Sequence, residues 1–347
     1  MIIAKTPFRM SFFGGGTDMP NFFHEYGGAV ISTTFDKYCY VIARHLPRFF
    51  EYTNELVYSR MERVSTIDQI EHPLIRNAMK LLDMHEIRLS YEADLPARTG
   101  LGTSSSFAVG LLNAFYAMKG KYVDKRRLAD EAIYVERVMC KEAGGLQDQI
   151  AVAYGGLNRI DFGPDGYEVR PVILPSERKQ RLDDNLMLFY TGISRFSSQI
   201  QEGTEKAIRD DPGKRAQLRD MLALVDEAER ILIDTRRDLN DFGRLLDETW
   251  KLKRGIDYGI STDRIDLLYK RALSNGALGG KLLGAGGGGF LLFYVEKEYQ
   301  AHMREALPEL LHVPFEFEND GSRIIHFTPE IYTLDENVRD YETGGSL

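Results

Sequence analysis

Hydrophobic positions near the start of the chain follow the short period that is typical of β-strands. Residues 1–4 are apolar, and residues 29–44 are rich in Val, Ile, Thr and Tyr between flanking glycines and a proline. Residues 87–91 alternate apolar and polar side chains, as a half-buried strand does. These segments predict strands, with the first two separated by a glycine-rich turn.

The pattern then changes to the longer period of helices. Residues 107–118 are almost wholly apolar, which predicts a buried helix whose free N–H groups are capped by the preceding serine and threonine side chains. In residues 125–142 apolar side chains recur among charges, which predicts a second helix that stops at Gly144-Gly145. A further helix is expected to begin near Gln147.

The middle of the chain contains the predicted domain boundary. Residues 157–160 and 167–173 favour strands, and the charged stretch 177–184 follows them. We therefore expect an N-terminal lobe of residues 1–183 and a C-terminal lobe of residues 184–347.

The C-terminal half has a different pattern. Residues 199–274 are strongly helical, with breaks at Pro212-Gly213 and within residues 255–259, and strands return at residues 289–295 and 315–317. Strands and helices are thus grouped rather than alternating, which favours an α+β protein over a doubly wound sheet.

Composition excludes several classes of protein. The 44 Lys and Arg against 52 Asp and Glu give a net charge of −8, which argues against nucleic acid or a membrane surface as the main partner. The two cysteines, Cys39 and Cys140, exclude a disulfide framework and a four-cysteine zinc site and favour the reducing cytoplasm. No signal peptide and no apolar run long enough to span a membrane is apparent.

The first segment with candidate chemistry is Pro96-Ala-Arg-Thr-Gly-Leu-Gly-Thr-Ser-Ser-Ser106, between a strand and an apolar helix. Glycines allow an anion to approach the backbone, and a helix N-terminus adds partial positive charge and free N–H donors. Hydroxyls at Thr103, Ser104 and Ser105 could cap the helix or bind a phosphate-bound Mg²⁺. The segment lacks the Lys-Ser/Thr ending of a Walker loop and the acidic residue of a dinucleotide fold. An ordinary capped helix is the alternative.

The second segment is Lys281-Leu-Leu-Gly-Ala-Gly-Gly-Gly-Gly289, which precedes an apolar strand. Glycine costs backbone entropy on folding, so this density predicts that some group approaches the backbone closely. A flexible loop is the alternative.

The third segment runs from Thr6 to Asp18 and places Arg9 and Asp18 on either side of Gly14-Gly-Gly16. A charged donor and an acceptor for hydroxyl groups could face one small ligand there. A simple surface ion pair would explain the same residues.

The fourth segment contains two carboxylates, Glu136 and Asp148, on either side of a double glycine. This arrangement can bring both into one cleft, where Glu136 would hold Mg²⁺ and Asp148 would orient or deprotonate a hydroxyl while a cation such as Arg9 keeps it ionised. The alternative is that Glu136 is one of many solvated glutamates on a charged helix.

In order and spacing these four segments resemble the motifs of the GHMP kinase superfamily, which includes galactokinase, homoserine kinase and mevalonate kinase. Residues 96–106 match the central motif, with Thr103 where serine is usual, and residues 7–18 and 281–289 match the first and third motifs. The resemblance implies an α+β fold of two lobes, with a ribosomal protein S5 domain 2-like N-terminal lobe, a ferredoxin-like C-terminal lobe and ATP and sugar in the cleft between them.

The resemblance also implies the roles of single residues. Asp148 matches the catalytic aspartate, Arg9 the basic residue that assists it, and Ser104 and Glu136 the residues that bind Mg²⁺. The expected nucleotide-binding residues are Pro96, Arg98, Thr99, Gly100, Leu101, Gly102, Thr103, Ser104, Ser105, Ser106, Gly284, Gly286 and Gly287. The expected sugar-binding residues are Gly15, Gly16, Thr17, Asp18 and Asp148.

The interval of 12 residues between Glu136 and Asp148 is shared with galactokinase-like members, and residues 14–18 are similar to those of D-glycero-D-manno-heptose 7-phosphate kinases and L-fucose kinases. Fused fucokinases carry a further large domain, for which 347 residues leave no room. The resemblance therefore implies transfer of the ATP γ-phosphoryl to the anomeric hydroxyl of the heptose 7-phosphate, giving the 1,7-bisphosphate for nucleotide-activated heptose synthesis.

Other functions remain open at this point. A kinase for an unphosphorylated sugar such as L-fucose is the main alternative, and a catalytically silent sugar sensor or a nucleotide-sugar oxidoreductase is less favoured. A 7-phosphate requires a basic pocket, and the sequence offers Lys5, Arg44 and Arg98 near the motifs as candidates.

Overall fold

A computed structural model describes residues 1–97, 99–193 and 197–328. The chain begins with two long antiparallel strands, β1 (Ile2–Phe13) and β2 (Gly28–His45), joined by the glycine turn and helix α1 (Pro20–Tyr26). The predicted pair of strands is confirmed, and both run further than the sequence pattern indicates. As a result β1 delivers Arg9 and the turn delivers Asp18 to the same end of the sheet.

The larger sheet is built around β1 and β2. Its other strands are β3 (Asn54–Val57), β4 (Met61–Val64), β5 (Ile87–Ala93), β6 (Asn158–Gly163), β7 (Gly166–Pro171), β12 (Phe317–Glu318) and β13 (Arg323–Phe327). In the described part of the chain, the order is β13-β1-β2-β5-β3-β4, with β6 and β12 also paired to β2 and β7 paired to β6. The strand order shows that the chain returns to the first sheet at β12 and β13.

Helices cover this sheet, and two of them carry Ser104 and Asp148. They are α2 (Pro73–Leu81), α3 (Thr103–Met118), α4 (Lys125–Ile133), α5 (Gln147–Tyr154) and α6 (Ser176–Asp184), and a 3₁₀ turn spans Ile67–Gln69. Between α4 and α5 the chain forms a π-helical turn, Tyr134–Met139. The charged segment predicted as a boundary is helix α6, and the division at residues 183 and 184 stays a prediction.

Two of the helix predictions need correction. Helix α3 begins at Thr103 after Gly102, whose φ is +72°, and no side-chain hydroxyl caps it. The serine hydroxyls have other partners, described below. The second predicted helix changes to π geometry after Ile133 and ends at Met139, because Lys141 is left-handed with φ of +57°. The double glycine that follows therefore does not end the helix.

The remaining residues build a second sheet covered by helices. Its strands are β8 (Leu186–Tyr190), β9 (Ala277–Leu282), β10 (Phe290–Val295) and β11 (Leu311–Val313), and its helices are α7 (Ser197–Asp210), α8 (Pro212–Ile233), α9 (Asn240–Arg254), α10 (Asp263–Leu273) and α11 (Gln300–Ala306), with a 3₁₀ turn at Lys297–Tyr299. The four strands are antiparallel in the order β11-β8-β10-β9. This order, with helices between β8 and β9 and between β10 and β11, is the expected ferredoxin-like arrangement.

Strand β9 was not predicted, because its glycines resemble a turn. A Cβ at Gly279 would lie 2.0 Å from the carbonyl oxygen of Gly243 in α9. The glycine is therefore required for close packing of helix on strand. In the described ranges, no helix is both long and apolar enough to cross a membrane.

Candidate functional site

The four motif segments meet at one cavity of about 890 Å³. Its lining includes Arg9, Gly15, Gly16 and Asp18 from the first motif, Gly100, Gly102, Thr103, Ser104 and Ser105 from the central motif, Glu136 and Asp148 from the carboxylate segment, and Lys281, Gly284 and Ala285 from the glycine-rich loop. Its size suits small-molecule ligands. The juxtaposition of segments as far apart in the chain as Arg9 and Ala285 is what a shared binding site requires.

Arg9 and Asp148 form a bidentate ion pair in this cavity. Arg9 Nε donates to Asp148 Oδ1 at 2.9 Å and Nη2 donates to Oδ2 at 2.7 Å. The third nitrogen, Nη1, donates to the carbonyl oxygen of Gly100 at 2.8 Å. The side chain of Arg9 is 4% exposed and that of Asp148 is 22% exposed, so the carboxylate faces the cavity while its partner is buried. This excludes the interpretation of Arg9 and Asp18 as a surface ion pair.

Asp18 is held by backbone donors. The N–H of Gly16 donates to its Oδ1 at 2.9 Å and the N–H of Gln147 to its Oδ2 at 3.1 Å. Burial raises the pKa of Asp18 and the nearby Asp148 charge raises it further, against the two backbone hydrogen bonds. A Cβ at Gly145 would lie 1.8 Å from Asp18 Oδ2, so the double glycine serves the approach of this carboxylate.

Thr17, also predicted to contact sugar, faces away from the cavity. Its hydroxyl donates to the carbonyl oxygens of Gly14 and Ala29 at 2.8 and 2.9 Å. Thr17 thereby fixes the glycine turn that carries Asp18.

The central motif has side chains that line the cavity and side chains that support the loop. Helix α3 begins at Thr103, and Thr103, Ser104 and Ser105 of its first turn line the cavity, where a helix N-terminus adds partial positive charge. Leu101 is buried in the core, and Ser106 Oγ donates to the carbonyl of Pro7 at 2.9 Å. Thr99 Oγ1 donates to the carbonyl of Pro96 at 2.8 Å, which closes the loop on itself. Arg98 lies outside the described residues.

Glu136 collects hydrogen bonds from three side chains. Ser104 and Ser105 donate to its Oε1 and Oε2 at 2.7 and 2.8 Å, and Gln149 Nε2 donates to Oε2 at 2.5 Å. Glu136 is buried and lies in the π-helical turn, a distortion that often marks functional positions. It is therefore not a solvated surface glutamate.

The Ser104–Glu136 pair has the donor chemistry that Mg²⁺ requires. Hydroxyl and carboxylate oxygens are hard ligands, and Mg²⁺ is usually held by one or two protein groups together with phosphate oxygens and water. Ser104 is exposed towards the cavity. Among the described residues, no group of three or more His, Cys, Asp or Glu side chains could hold a metal ion.

The glycine-rich loop packs against the central motif. A Cβ at Gly284 would lie 2.3 Å from the Cα of Gly100, and one at Gly289 would lie 2.2 Å from the carbonyl oxygen of Thr99. The group that closely approaches the backbone of the glycine-rich loop is therefore the central motif, at Thr99 and Gly100. Gly286 and Gly287 instead contact Ile260, whose carbonyl accepts the N–H of Gly287 at 3.0 Å.

Two buried lysines that sequence reasoning missed also line the cavity. Lys253 Nζ donates to the carbonyls of Leu282 and Gly284, and Lys281 Nζ donates to the carbonyl of Phe12 at 2.7 Å. Burial, with the nearby Arg9 charge, lowers the pKa of Lys253 to about 8, although Asp18 and Asp148 oppose this shift.

The sequence feature that could have identified Lys253 is its position on the buried face of α9. Lys253 continues the buried row of α9 that includes Leu246, Thr249 and Trp250, at the spacing of three and four residues that defines one helix face. A lysine on an apolar face points to a buried ammonium. Burial also lowers the pKa of Lys281 well below its ordinary value, and Lys253 and Arg9 add to the shift.

Ser11 and Gln147 are the other missed residues. Both line the cavity, and among the described residues Ser11 Oγ and Gln147 Oε1 are buried without a hydrogen-bond partner. Ser11 is 6% and Gln147 9% exposed. A buried polar atom without a partner is costly, so both atoms favour a polar ligand beside Gly15.

Of the candidates for a basic pocket, Lys5 lies elsewhere. Its ammonium is 3.6 Å from the ring centroid of Tyr38, on the strands β1 and β2. The described cations that line the cavity are Arg9, Arg60, Arg137, Lys253 and Lys281.

The arrangement is that of a phosphotransferase site: a carboxylate paired to arginine lies beside a helix N-terminus with phosphate-binding geometry.

Residues 71–156 match the family described as GHMP kinases N terminal domain, and residues 224–313 match GHMP kinases C terminal. A D-glycero-alpha-D-manno-heptose 7-phosphate kinase from Campylobacter jejuni is 27% identical over 320 residues, covering 88% of this chain and 93% of that protein.

Solved structures agree on the fold. The structure of a D-glycero-D-manno-heptose 1-phosphate kinase from Bacteroides thetaiotaomicron matches with a TM-score of 0.76 at 23% identity, covering 96% of this chain and 100% of that one. Lactococcus lactis galactokinase complexed with galactose matches with a TM-score of 0.73 at 17% identity, covering 93% and 94%. The chain belongs to the GHMP kinase family. It is a phosphotransferase of the sugar-kinase type, with an alcohol group as acceptor.

Proposed function

We propose that this enzyme transfers the γ-phosphoryl group of ATP to the anomeric hydroxyl of D-glycero-D-manno-heptose 7-phosphate, giving the 1,7-bisphosphate for nucleotide-activated heptose synthesis. The observation that carries the proposal is the bidentate Arg9–Asp148 pair, which faces the same cavity as Asp18 and the N-terminus of α3. The choice of heptose phosphate is supported by the relative from Campylobacter jejuni, which matches along nearly its whole length.

Asp148 acts on the acceptor. Each carboxylate oxygen accepts one hydrogen bond from Arg9 and retains a lone pair for the sugar hydroxyl. The anomeric oxygen forms a bond to the γ-phosphorus as the bond from that phosphorus to the β,γ-bridging oxygen breaks. ADP leaves with the bonding electron pair, and the hydroxyl proton passes to Asp148 and then to solvent.

Arg9 positions this carboxylate. Its guanidinium is fixed by Asp148 on one side and by the Gly100 carbonyl on the other, so the acceptor carboxylate and the nucleotide loop are held at a set distance. Because phosphoryl transfer involves little covalent chemistry by the protein, such positioning should account for much of the rate.

The loop of residues 100–106 binds the ATP phosphates. These residues and the positive end of α3 lie at the cavity, where they stabilise charge on the transferred group. Ser104 and Glu136 would hold Mg²⁺, which neutralises phosphate charge when bound. Ser105 and Gln149 orient Glu136 for that role.

Asp18 holds sugar hydroxyls, with Ser11 and Gln147 completing the polar surface. All three side chains line the cavity near the glycine turn, and the last two contribute buried atoms that lack protein partners among the described residues. We also propose a cytoplasmic location, where ATP is made and where free thiols such as Cys39 and Cys140 persist.

The test is ADP formation with ATP and Mg²⁺ against heptose 7-phosphate, the free heptose, mannose, L-fucose and galactose. Turnover restricted to the 7-phosphate is the expected result. Turnover of a free sugar alone would retain the kinase and reject the heptose phosphate. No turnover of any acceptor, with ATP still bound, would favour the sensor.

A further inference from the structure

Lys253 and Lys281 are buried ammonium groups whose hydrogen bonds go to backbone carbonyls. Lys253 reaches the carbonyls of Leu282 and Gly284, and Lys281 reaches that of Phe12. Among the described residues, neither forms an ion pair with a carboxylate, although their side chains are 8% and 2% exposed. Carbonyl contacts compensate only part of the cost of burying a charge.

The part of the chain that the structure describes lines the cavity with five Lys or Arg and five Asp or Glu side chains, but neither Lys253 nor Lys281 is paired with one of these carboxylates. Arg9, Lys253 and Lys281 line it together with the carboxylates Asp18 and Asp148, and Arg9 already engages both oxygens of Asp148. An ammonium has three N–H donors, and carbonyl oxygens occupy two of those on Lys253. The third is available to a ligand that enters beside Gly284.

We propose that Lys253 binds a phosphate monoester group of the reactants. The inference rests on the proposed function and adds the group that receives the anion. That anion has two possible sources with the same chemistry: the phosphoryl group in transfer to the acceptor, or a phosphate that the acceptor already carries.

The two other cations of the cavity are less suited to this role. The guanidinium of Arg137 is taken up by the carbonyls of Glu142, Ala143 and Gly145. Arg60 is exposed and pairs with Glu71 at 3.4 Å. Lys253 instead approaches both the glycine loop and the carboxylates of the acceptor side.

The experiment compares Lys253→Met and Lys253→Arg with the wild type. Lys251→Met is the matched control, because Lys251 lies on the same helix but is exposed and paired with Asp247. For each protein, kcat and KM are measured for ATP, for heptose 7-phosphate and for the free heptose. The increase in melting temperature caused by inorganic phosphate is measured separately, without nucleotide or sugar.

If the bound group is the phosphoryl in transfer, Lys253→Met lowers kcat for the 7-phosphate about 10- to 100-fold and changes the KM values little. If it is the acceptor's own phosphate, the same variant raises KM for the 7-phosphate about 10-fold or more, and any turnover of the free heptose is unaffected. In both cases Lys253→Arg restores part of the loss, and phosphate stabilises Lys253→Met less than wild type.

Two results would overturn the proposal. One is that Lys253→Met keeps kcat and both KM values within about two-fold of the control. The other is that activity is lost, arginine restores none of it, and phosphate still stabilises Lys253→Met as it does the wild type, which indicates a purely structural lysine. If the wild type phosphorylates no sugar, the proposed function fails, whereas the phosphate measurement still decides whether Lys253 binds the anion.

Discussion

Arg9 and Asp148 come from β1 and the first turn of α5, yet two nearly parallel N–H···O bonds of 2.9 and 2.7 Å join them. The same guanidinium reaches the carbonyl of Gly100. One side chain therefore links the acceptor carboxylate to the nucleotide loop, which come from distant parts of the chain.

Replacing Asp148 with Asn should reduce turnover far more than nucleotide binding. The amide keeps the shape but cannot accept a proton, so kcat should fall about 100-fold or more while the Kd of ATP stays close to wild type. Steady-state kinetics and calorimetric ATP titration check this. Asp165→Asn, in the exposed turn after β6, is the control. Full turnover with normal sugar affinity would exclude the assigned role.

Replacing Arg9 with Lys tests positioning separately from charge. Lysine retains the cation but cannot form the bidentate pair and the Gly100 contact together, so kcat should fall about 10- to 100-fold. The melting temperature should be compared in parallel, since Arg9 is buried. Unchanged kcat would mean that only the charge of Arg9 matters.

Replacing Glu136 with Gln tests the predicted Mg²⁺ site. We expect the Mg²⁺ concentration for half-maximal activity to rise about 10-fold or more, because a neutral amide is a poor ligand for a hard cation. The KM for sugar should change little. Glu177→Gln, exposed in α6, provides the control. An unchanged Mg²⁺ requirement would contradict the assignment of Glu136.

The contact between the two glycine-containing loops predicts a large effect of a single methyl group. At Gly284 the backbone has φ of +74° and a Cβ would overlap Gly100, so Gly284→Ala should cost about 1–3 kcal/mol of unfolding free energy and weaken ATP binding. Chemical denaturation measures the first effect. Gly163→Ala, where a Cβ meets open space, should stay within about 0.5 kcal/mol of wild type. Equal effects of the two changes would refute the packing argument.

The sequence predicted much of this site, because its motifs carry rare local patterns. Glycine density indicated the close approach at Gly284, and the spacing of Glu136 and Asp148 indicated a shared cleft. The partner of the glycine loop could not be predicted, since packing of Thr99 and Gly100 on that loop depends on the tertiary fold. Strand β9 was missed because a glycine in a strand and a glycine in a turn look the same in sequence.

Side-chain hydroxyls were misassigned for a related reason. A serine before an apolar helix is ordinarily a cap. Ser104 and Ser105 instead donate hydrogen bonds to Glu136, which lies in the π-helical turn. The preference of serine for helix-capping positions depends on the local sequence and gives no information on the Glu136 carboxylate as an alternative acceptor. The position of Lys253 on the apolar face of α9 indicated burial, but its neighbours Gly284 and Arg9 are remote in sequence and could not be predicted.

The alkaline limb of the pH profile should report Lys253. Burial and the Arg9 charge, against Asp18 and Asp148, lower the pKa of Lys253 to about 8, so its ammonium is present below that pH and is lost as pH rises through it. Burial, with the charges of Lys253 and Arg9, in turn lowers the pKa of the neighbouring Lys281. If the ammonium binds phosphate, kcat should decline about 10-fold per pH unit above pH 8.

Arginine stays charged throughout this range, so Lys253→Arg should move the decline to higher pH. Measurement of kcat between about pH 6.5 and 9.5 distinguishes the two proteins. A decline at the same pH in both would assign it to another group and remove Lys253 as its source.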